Sequence, residues 1–172
     1  MASKATKPAA KKATGSVRTD PATKLLMADH KEVHAMFQQY KKLADADAEA
    51  SEREALATEI CHALTVHATI EEELFYPAAR EAEVDADLLD EAEVEHASAK
   101  ALIAQVEAMS PDDALYDAKV TVLGEYIDHH VKEEEGELFP KCRKSDMDLE
   151  GLGEALAARK QELTAEMAEM AS

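Results

Sequence analysis

Two cysteines, five glycines, five prolines and no tryptophan stand in 172 residues, and these scarcities exclude several kinds of protein. Cys61 and Cys142 lie far apart and outside any C-x-x-C pattern. They make neither a disulfide framework nor a thiolate metal site, and their use fits a reducing cytoplasm. With so little turn material, and with Ala and Leu dominating the 46% of hydrophobic residues, the chain reads as all-helical. No apolar run approaches the roughly 20 residues that a membrane helix needs, and no secretory segment is present. The length suits one domain with a core of its own.

Acid is missing from residues 1–19, which hold Lys4, Lys7, Lys11, Lys12 and Arg18. The rest of the chain therefore carries 14 basic against 37 acidic residues, a net of −23. Such a body repels nucleic acid and anionic membrane. The 1–19 tail, rich in Lys, Ala, Pro and Thr, cannot bury a core and is expected to be disordered and solvated. It is the one segment with any electrostatic route, a weak one, to nucleic acid or an acidic partner.

From Asp20 onward apolar residues recur at three and four, the helical period. Asp20-Pro21 reads as an N-cap with proline in the first turn, opening a helix with Leu26, His30, Val33, Phe37 and Tyr40 on one face. A second helix opens at Ser51, where Glu54 completes a capping box, and its stripe is Leu56, Ile60, Leu64, His67, Glu71 and Leu74. A third opens near Asp85 with Leu89, Ala92, His96, Ala99, Ile103 and Val106. Ser110-Pro111 stops it and starts a fourth, with Val120, Leu123, Ile127, His130, Glu134 and Leu138. Short connections make consecutive helices antiparallel. The expectation is an all-α, up-down-up-down four-helix bundle over 20–145 with a C-terminal helical extension over 146–172. Phe75, Tyr76, Leu138 and Phe139 read as core at the bundle end, where Pro77 and Pro140 bend the helices. His62 and His129 read as surface residues.

Four histidines and two glutamates fall where the period demands core residues. A buried carboxylate without a partner costs several kcal/mol or stays protonated, so something inside the bundle must compensate Glu71 and Glu134. The chain also repeats itself. HATIEEELFYP (67–77) and HVKEEEGELFP (130–140) pair His67 with His130 and Glu71 with Glu134; DHKEVHAMF (29–37) and EHASAKALI (95–103) pair His30 with His96. At i, i+4 each glutamate lies on the same helix face as its histidine, about 5–6 Å away at Cβ. Two hairpins of one design, related by a pseudo-two-fold axis, would set four imidazoles and two carboxylates about a common centre. Nitrogen and oxygen ligands without sulfur suit iron, manganese or zinc, and two carboxylates able to bridge favour a dinuclear site.

The pattern H…HxxxE…H…HxxxE, with LFYP and LFP after the acids, resembles the hemerythrin-type HHE cation-binding domain over roughly residues 22–143. The resemblance implies two non-haem irons in the bundle, ligated by His30, His67, His96 and His130 and bridged by Glu71 and Glu134. Oxygen-carrying members have a second histidine one turn along the third helix, where this chain has Lys100. His34, one turn after His30, is therefore assigned the fifth imidazole, and the open position the iron nearer His96 and His130. Oxygen carriers also end on an aspartate five residues after its histidine, where this chain has Glu134 four after. Oxygen carriage in its usual form is accordingly not expected. The function implied is binding or sensing of dioxygen, peroxide, nitric oxide or iron in the cytoplasm. A di-iron enzyme with catalase- or peroxidase-like activity is the alternative, and a metal-free structural bundle the third reading. Tyr126, one turn before His130, is read first as a packing residue and second as a hydroxyl able to reach the site.

Overall fold

A computed structural model describes residues 20–170, so the 1–19 tail and its expected disorder lie outside the described residues. The first helix, α1 (Pro21–Asp45), starts as the sequence predicts: Asp20 accepts a hydrogen bond from the Thr23 N–H at 2.8 Å, and Pro21 takes the first turn. Its end reverses through Asp47, at φ 50°, a left-handed conformation that aspartate tolerates. The second, α2 (Ala50–Ile70), begins one residue before Ser51, with Glu49 at the cap and no side-chain capping bond. The expected capping box does not form. Arg53 instead secures this corner, donating to the Ala48 and Pro111 carbonyls and to Asp117.

A π-helical turn, Glu71–Phe75, joins α2 to α3 (Tyr76–Glu81). Asp85 caps α4 (Ala86–Glu107) by accepting from the Leu88 N–H. The next helix, α5 (Tyr116–Glu133), starts five residues beyond Pro111. Ser110 donates its N–H to Asp113 and accepts from the Asp112 N–H, so these residues form a turn of their own. A second π turn, Glu134–Leu138, leads into α6 (Phe139–Lys144), and α7 (Leu149–Met170) follows.

Both π turns end just before a proline. Pro77 and Pro140 have no N–H to return to the carbonyl four residues back. The ladder widens ahead of them: the Tyr76 N–H reaches the Glu71 carbonyl and the Phe139 N–H that of Glu134, each five residues back. Glu71 and Glu134, the two inward carboxylates, open these turns.

Two hairpins, α1 with α2 and α4 with α5, pack into a four-helix bundle, and α7 lies along α1 and α2. The all-helical bundle with a C-terminal helix is the architecture the periodicity predicts. Gly153 is where α7 meets the start of α1. A Cβ there would lie 2.6 Å from the Pro21 Cβ and 2.9 Å from the Ala22 nitrogen, so only glycine permits the approach. Leu156, one turn on, is fully buried. Arg143 ties the other end of the chain back by bonding Asp20 and Thr23.

The apolar core is in two parts. One, at the proline end, gathers Leu26, Ile70, Phe75, Leu89, Leu138, Phe139 and Leu156; the other gathers Val33, Ile60, Leu64, Ile103, Val120 and Leu123. Between them lies a belt of buried polar residues: His30, His67, Glu71, His96, His130 and Glu134. Among the described residues no helix is long and apolar enough to cross a membrane.

Candidate metal centre

Each hairpin brings its two imidazoles together. His30 of α1 and His67 of α2 face each other Nε2 to Nε2 at 3.1 Å; His96 of α4 and His130 of α5 do the same at 3.2 Å. Two imidazole nitrogens this close can share at most one hydrogen, so the lone pairs converge.

The carboxylates span the two pairs. Glu71 sets Oε1 at 3.0 Å from His67 Nε2 and Oε2 at 3.2 Å from His96 Nε2. Glu134 places Oε2 3.2 Å from His30 Nε2 and 3.6 Å from His130 Nε2. Glu71 Oε1 and Glu134 Oε2 are buried without a hydrogen-bond partner. Orphaned buried carboxylate oxygens are rare and costly, and a cation between them removes the cost. The donors fall into two overlapping groups within 4.8 Å, His30, His67, Glu71 and Glu134 on one side and Glu71, His96 and His130 on the other. The donor set of imidazoles and carboxylates fits a transition metal.

The outward nitrogens are all engaged. Nδ1 of His30 lies 2.8 Å from Glu135, that of His67 3.2 Å from Asp29, that of His96 2.9 Å from Glu72 and that of His130 2.6 Å from Glu95. A carboxylate only accepts, so each Nδ1 carries a hydrogen and each Nε2 is left facing inward, free to take a proton or an ion. Two of these carboxylates hold lysines in turn, Asp29 with Lys160 of α7 and Glu72 with Lys100 of α4. Without an ion the site keeps protons. Burial disfavours charge on His67 and His130, yet Glu71 and Asp29 raise His67 to about 10, and Glu134 and Glu95 raise His130 to about 9. Burial likewise works to raise Glu71, and His67 and His96 overcome it to hold that carboxyl well below its usual range.

Six of the seven residues expected from the sequence meet in this belt, and His34 does not. Its ring is half exposed, with Nδ1 3.1 Å from Asp128 and Nε2 2.9 Å from the Gln38 amide. Val33 takes the inward seat beside His30, turning His34 outward against α5. Lys100, at the corresponding position of α4, serves Glu72 instead of the centre.

Tyr76, core by its place in the sequence pattern, also reaches the polar belt. Its hydroxyl donates to Glu134 Oε1 at 2.7 Å and lies 3.2 Å from Glu71 Oε2, 3.1 Å from His96 Nε2 and 3.4 Å from His130 Nε2. The hydroxyl thus stands beside His96 and His130, the pair nearest which the sequence sets the open position. The repeat concealed it, because Tyr76 aligns with Phe139, whose ring stacks on His30 at 6.0 Å between centroids. Tyr126 is half exposed, at the rim of a cavity of about 40 Å³ bordered by all four inward histidines and by Val33, Leu64, Ala99, Ile103 and Ile127. The cavity wall is almost wholly apolar, with space for one small molecule.

The hemerythrin HHE cation binding domain matches residues 22–142. A crystal structure of a hemerythrin HHE cation binding domain-containing protein from Mycobacterium kansasii superposes with a TM-score of 0.70, covering 86% of this chain and 89% of that one at 24% identity. A DNA nickase from Nostoc sp. is 29% identical over 117 residues, 68% of this chain; the match spans about a third of the nickase, 32% of its length. The domain match covers well over half of the chain and contains every histidine and glutamate of the buried belt. The chain belongs to the hemerythrin HHE cation-binding domain family.

Proposed function

We propose that the protein holds two non-haem irons in this belt and binds or senses dioxygen, peroxide or nitric oxide there. His30 and His67 would ligate one ion, His96 and His130 the other, and Glu71 and Glu134 would bridge. The observation that carries the reading is the pair of orphaned carboxylate oxygens facing converging imidazole nitrogens in a buried belt. A bound iron pair supplies redox equivalents and coordination positions for a small ligand.

The chain's own residues do the rest. Asp29, Glu72, Glu95 and Glu135 orient the imidazoles by holding Nδ1–H. The apolar cavity against the four rings admits a small neutral molecule and excludes bulk water. Nothing on the described surface favours the nickase activity of the Nostoc relative, since a net of −23 outside residues 1–19 repels a phosphate backbone.

Peroxide turnover is the second reading, favoured by the Tyr76 hydroxyl. Burial, then the Glu134 and Glu71 carboxylates, hold that phenol protonated well above its ordinary range, so a proton-bearing group stands within the site. Metal analysis of protein expressed with added iron tests the centre: about two irons per chain are expected, falling to trace amounts in H67A/H130A. Iron at trace levels in the unmodified chain overturns the reading. The rate at which the loaded protein consumes dilute peroxide then separates a sensor from an enzyme.

A further inference from the structure

The pseudo-two-fold relation between the hairpins breaks outside the buried belt. In the α1/α2 half, the carboxylate holding His67 is Asp29, which Lys160 of α7 covers; the neighbouring residues of α2 are the buried Val66 and Ile70. In the α4/α5 half, the equivalent carboxylate is Glu95, and the repeat replaces Val66 by His129 and Ile70 by Glu133. Among the described residues no helix covers them. His129 is 64% exposed, Glu133 33% and Glu95 19%.

These three side chains converge. His129 Nε2 stands 3.4 Å from Glu95 Oε1 and 3.4 Å from Glu133 Oε1, so one imidazole and two carboxylates offer donor atoms within 4.8 Å of one another. One imidazole with two carboxylates suits ferrous, manganous or zinc ions. Asp90 and Glu91 flank the group in an open surface groove and add negative potential. Glu95 belongs to both places: its Oε1 faces His129 on the surface, and its Oε2 holds His130 Nδ1 at 2.6 Å.

A crevice between the two is shared by both. Glu95 and Glu133 of the surface group and His130 and Glu134 of the buried belt line it together with Leu88 and Leu138, and it has about 10 Å³ of free space, close to the room of one water. Glu134, 2% exposed, lines its inner end and carries the orphaned Oε2.

We propose that Glu95, His129 and Glu133 form a surface site that captures a divalent cation and passes it along this crevice to the buried centre. The step is ligand exchange without redox change. The ion leaves a hydrated three-donor surface site for one richer in imidazole and with two orphaned carboxylate oxygens, so the transfer runs inward. The inference rests on the buried belt being a metal centre.

Metal-free full-length protein would be mixed anaerobically with ferrous iron and quenched at increasing times with a ferrous chelator, counting the iron that is protected. H129A/E133Q is expected to reach the same final iron as the parent but about tenfold more slowly at low ionic strength, the size of a local-concentration effect. E107Q, which removes one exposed glutamate at the far end of α4, should load at the parent rate. Equal rates in the parent and H129A/E133Q overturn the loading site while leaving the centre standing. Equal slowing in E107Q overturns it too, reducing the effect to net charge. A parent that protects no iron overturns the centre and, with it, the loading step. Manganous ion titrated into E71Q/E134Q reads the surface site by itself: one weak ion is expected, lost when H129A/E133Q is added, and no bound ion overturns the site.

Discussion

Replacing Tyr76 by phenylalanine isolates one hydroxyl in the buried belt. The ring stays, and with it the packing against Phe75 and His96 at 6.1 and 5.3 Å between centroids. What goes is the donor 2.7 Å from Glu134 Oε1. That carboxylate is 2% exposed and already has one oxygen without a hydrogen-bond partner, so water cannot replace the lost bond cheaply. A hydrogen bond to a charged group contributes about 1.5–3 kcal/mol, so the metal-free Y76F chain should lose about 2 kcal/mol. For a chain of this length that corresponds to a fall in melting temperature of about 4–8 °C. Circular dichroism melts of both metal-free proteins at neutral pH measure it directly. A Y76F melt within about a degree of the parent would refute the argument, because it would mean that the hydroxyl bears no bond to a buried carboxylate.

Two other perturbations follow from the same geometry. His67 and His130 of the metal-free chain stand at about 10 and about 9, above an ordinary value of 6.5. Their charged forms therefore stabilise the metal-free fold fully below about pH 6.5 and lose that contribution as pH rises through 9 to 10. Its melting temperature should fall over that interval, and loading metal near pH 8 should release protons to a weakly buffered indicator; a flat profile from pH 7 to 10 would contradict the protonation scheme. G153A adds a Cβ 2.9 Å from the Ala22 nitrogen and sets α7 against α1. Alanine favours a helix over glycine by about 1 kcal/mol, yet overpacking costs about 1–3 kcal/mol, so a lower melting temperature is expected and a higher one would show that α7 docks elsewhere.

The sequence by itself determined the four-helix periodicity, the two-hairpin repeat and six of the inward donors. These are local matters. A residue at i, i+3 or i+4 from core residues shares their face whatever the partner helix, and a buried carboxylate among them demands compensation. The Asp20 cap was legible for the same reason, since its partner is three residues away. The start of α2 was not: it lies at Ala50 without the Ser51 capping box, at a corner that Arg53 holds by bonding Asp117 across the bundle.

Tertiary structure alone decided the asymmetries. His34 and His30 lie one turn apart on one helix, and spacing cannot say which faces the centre. Packing gives the seat to Val33 and leaves His34 to Asp128. Tyr76 and Phe139 occupy equivalent places in the repeat, so apolar pattern treats them alike; only the meeting of four helices brings the one hydroxyl to Glu134. The carboxylate behind each imidazole was equally out of reach, because Asp29, Glu72, Glu95 and Glu135 look like any solvated acid until a neighbouring helix supplies the ring. Helical period fixes the direction in which a side chain leaves its own axis. What it meets depends on how the other axes are rotated and placed, and no local spacing encodes that.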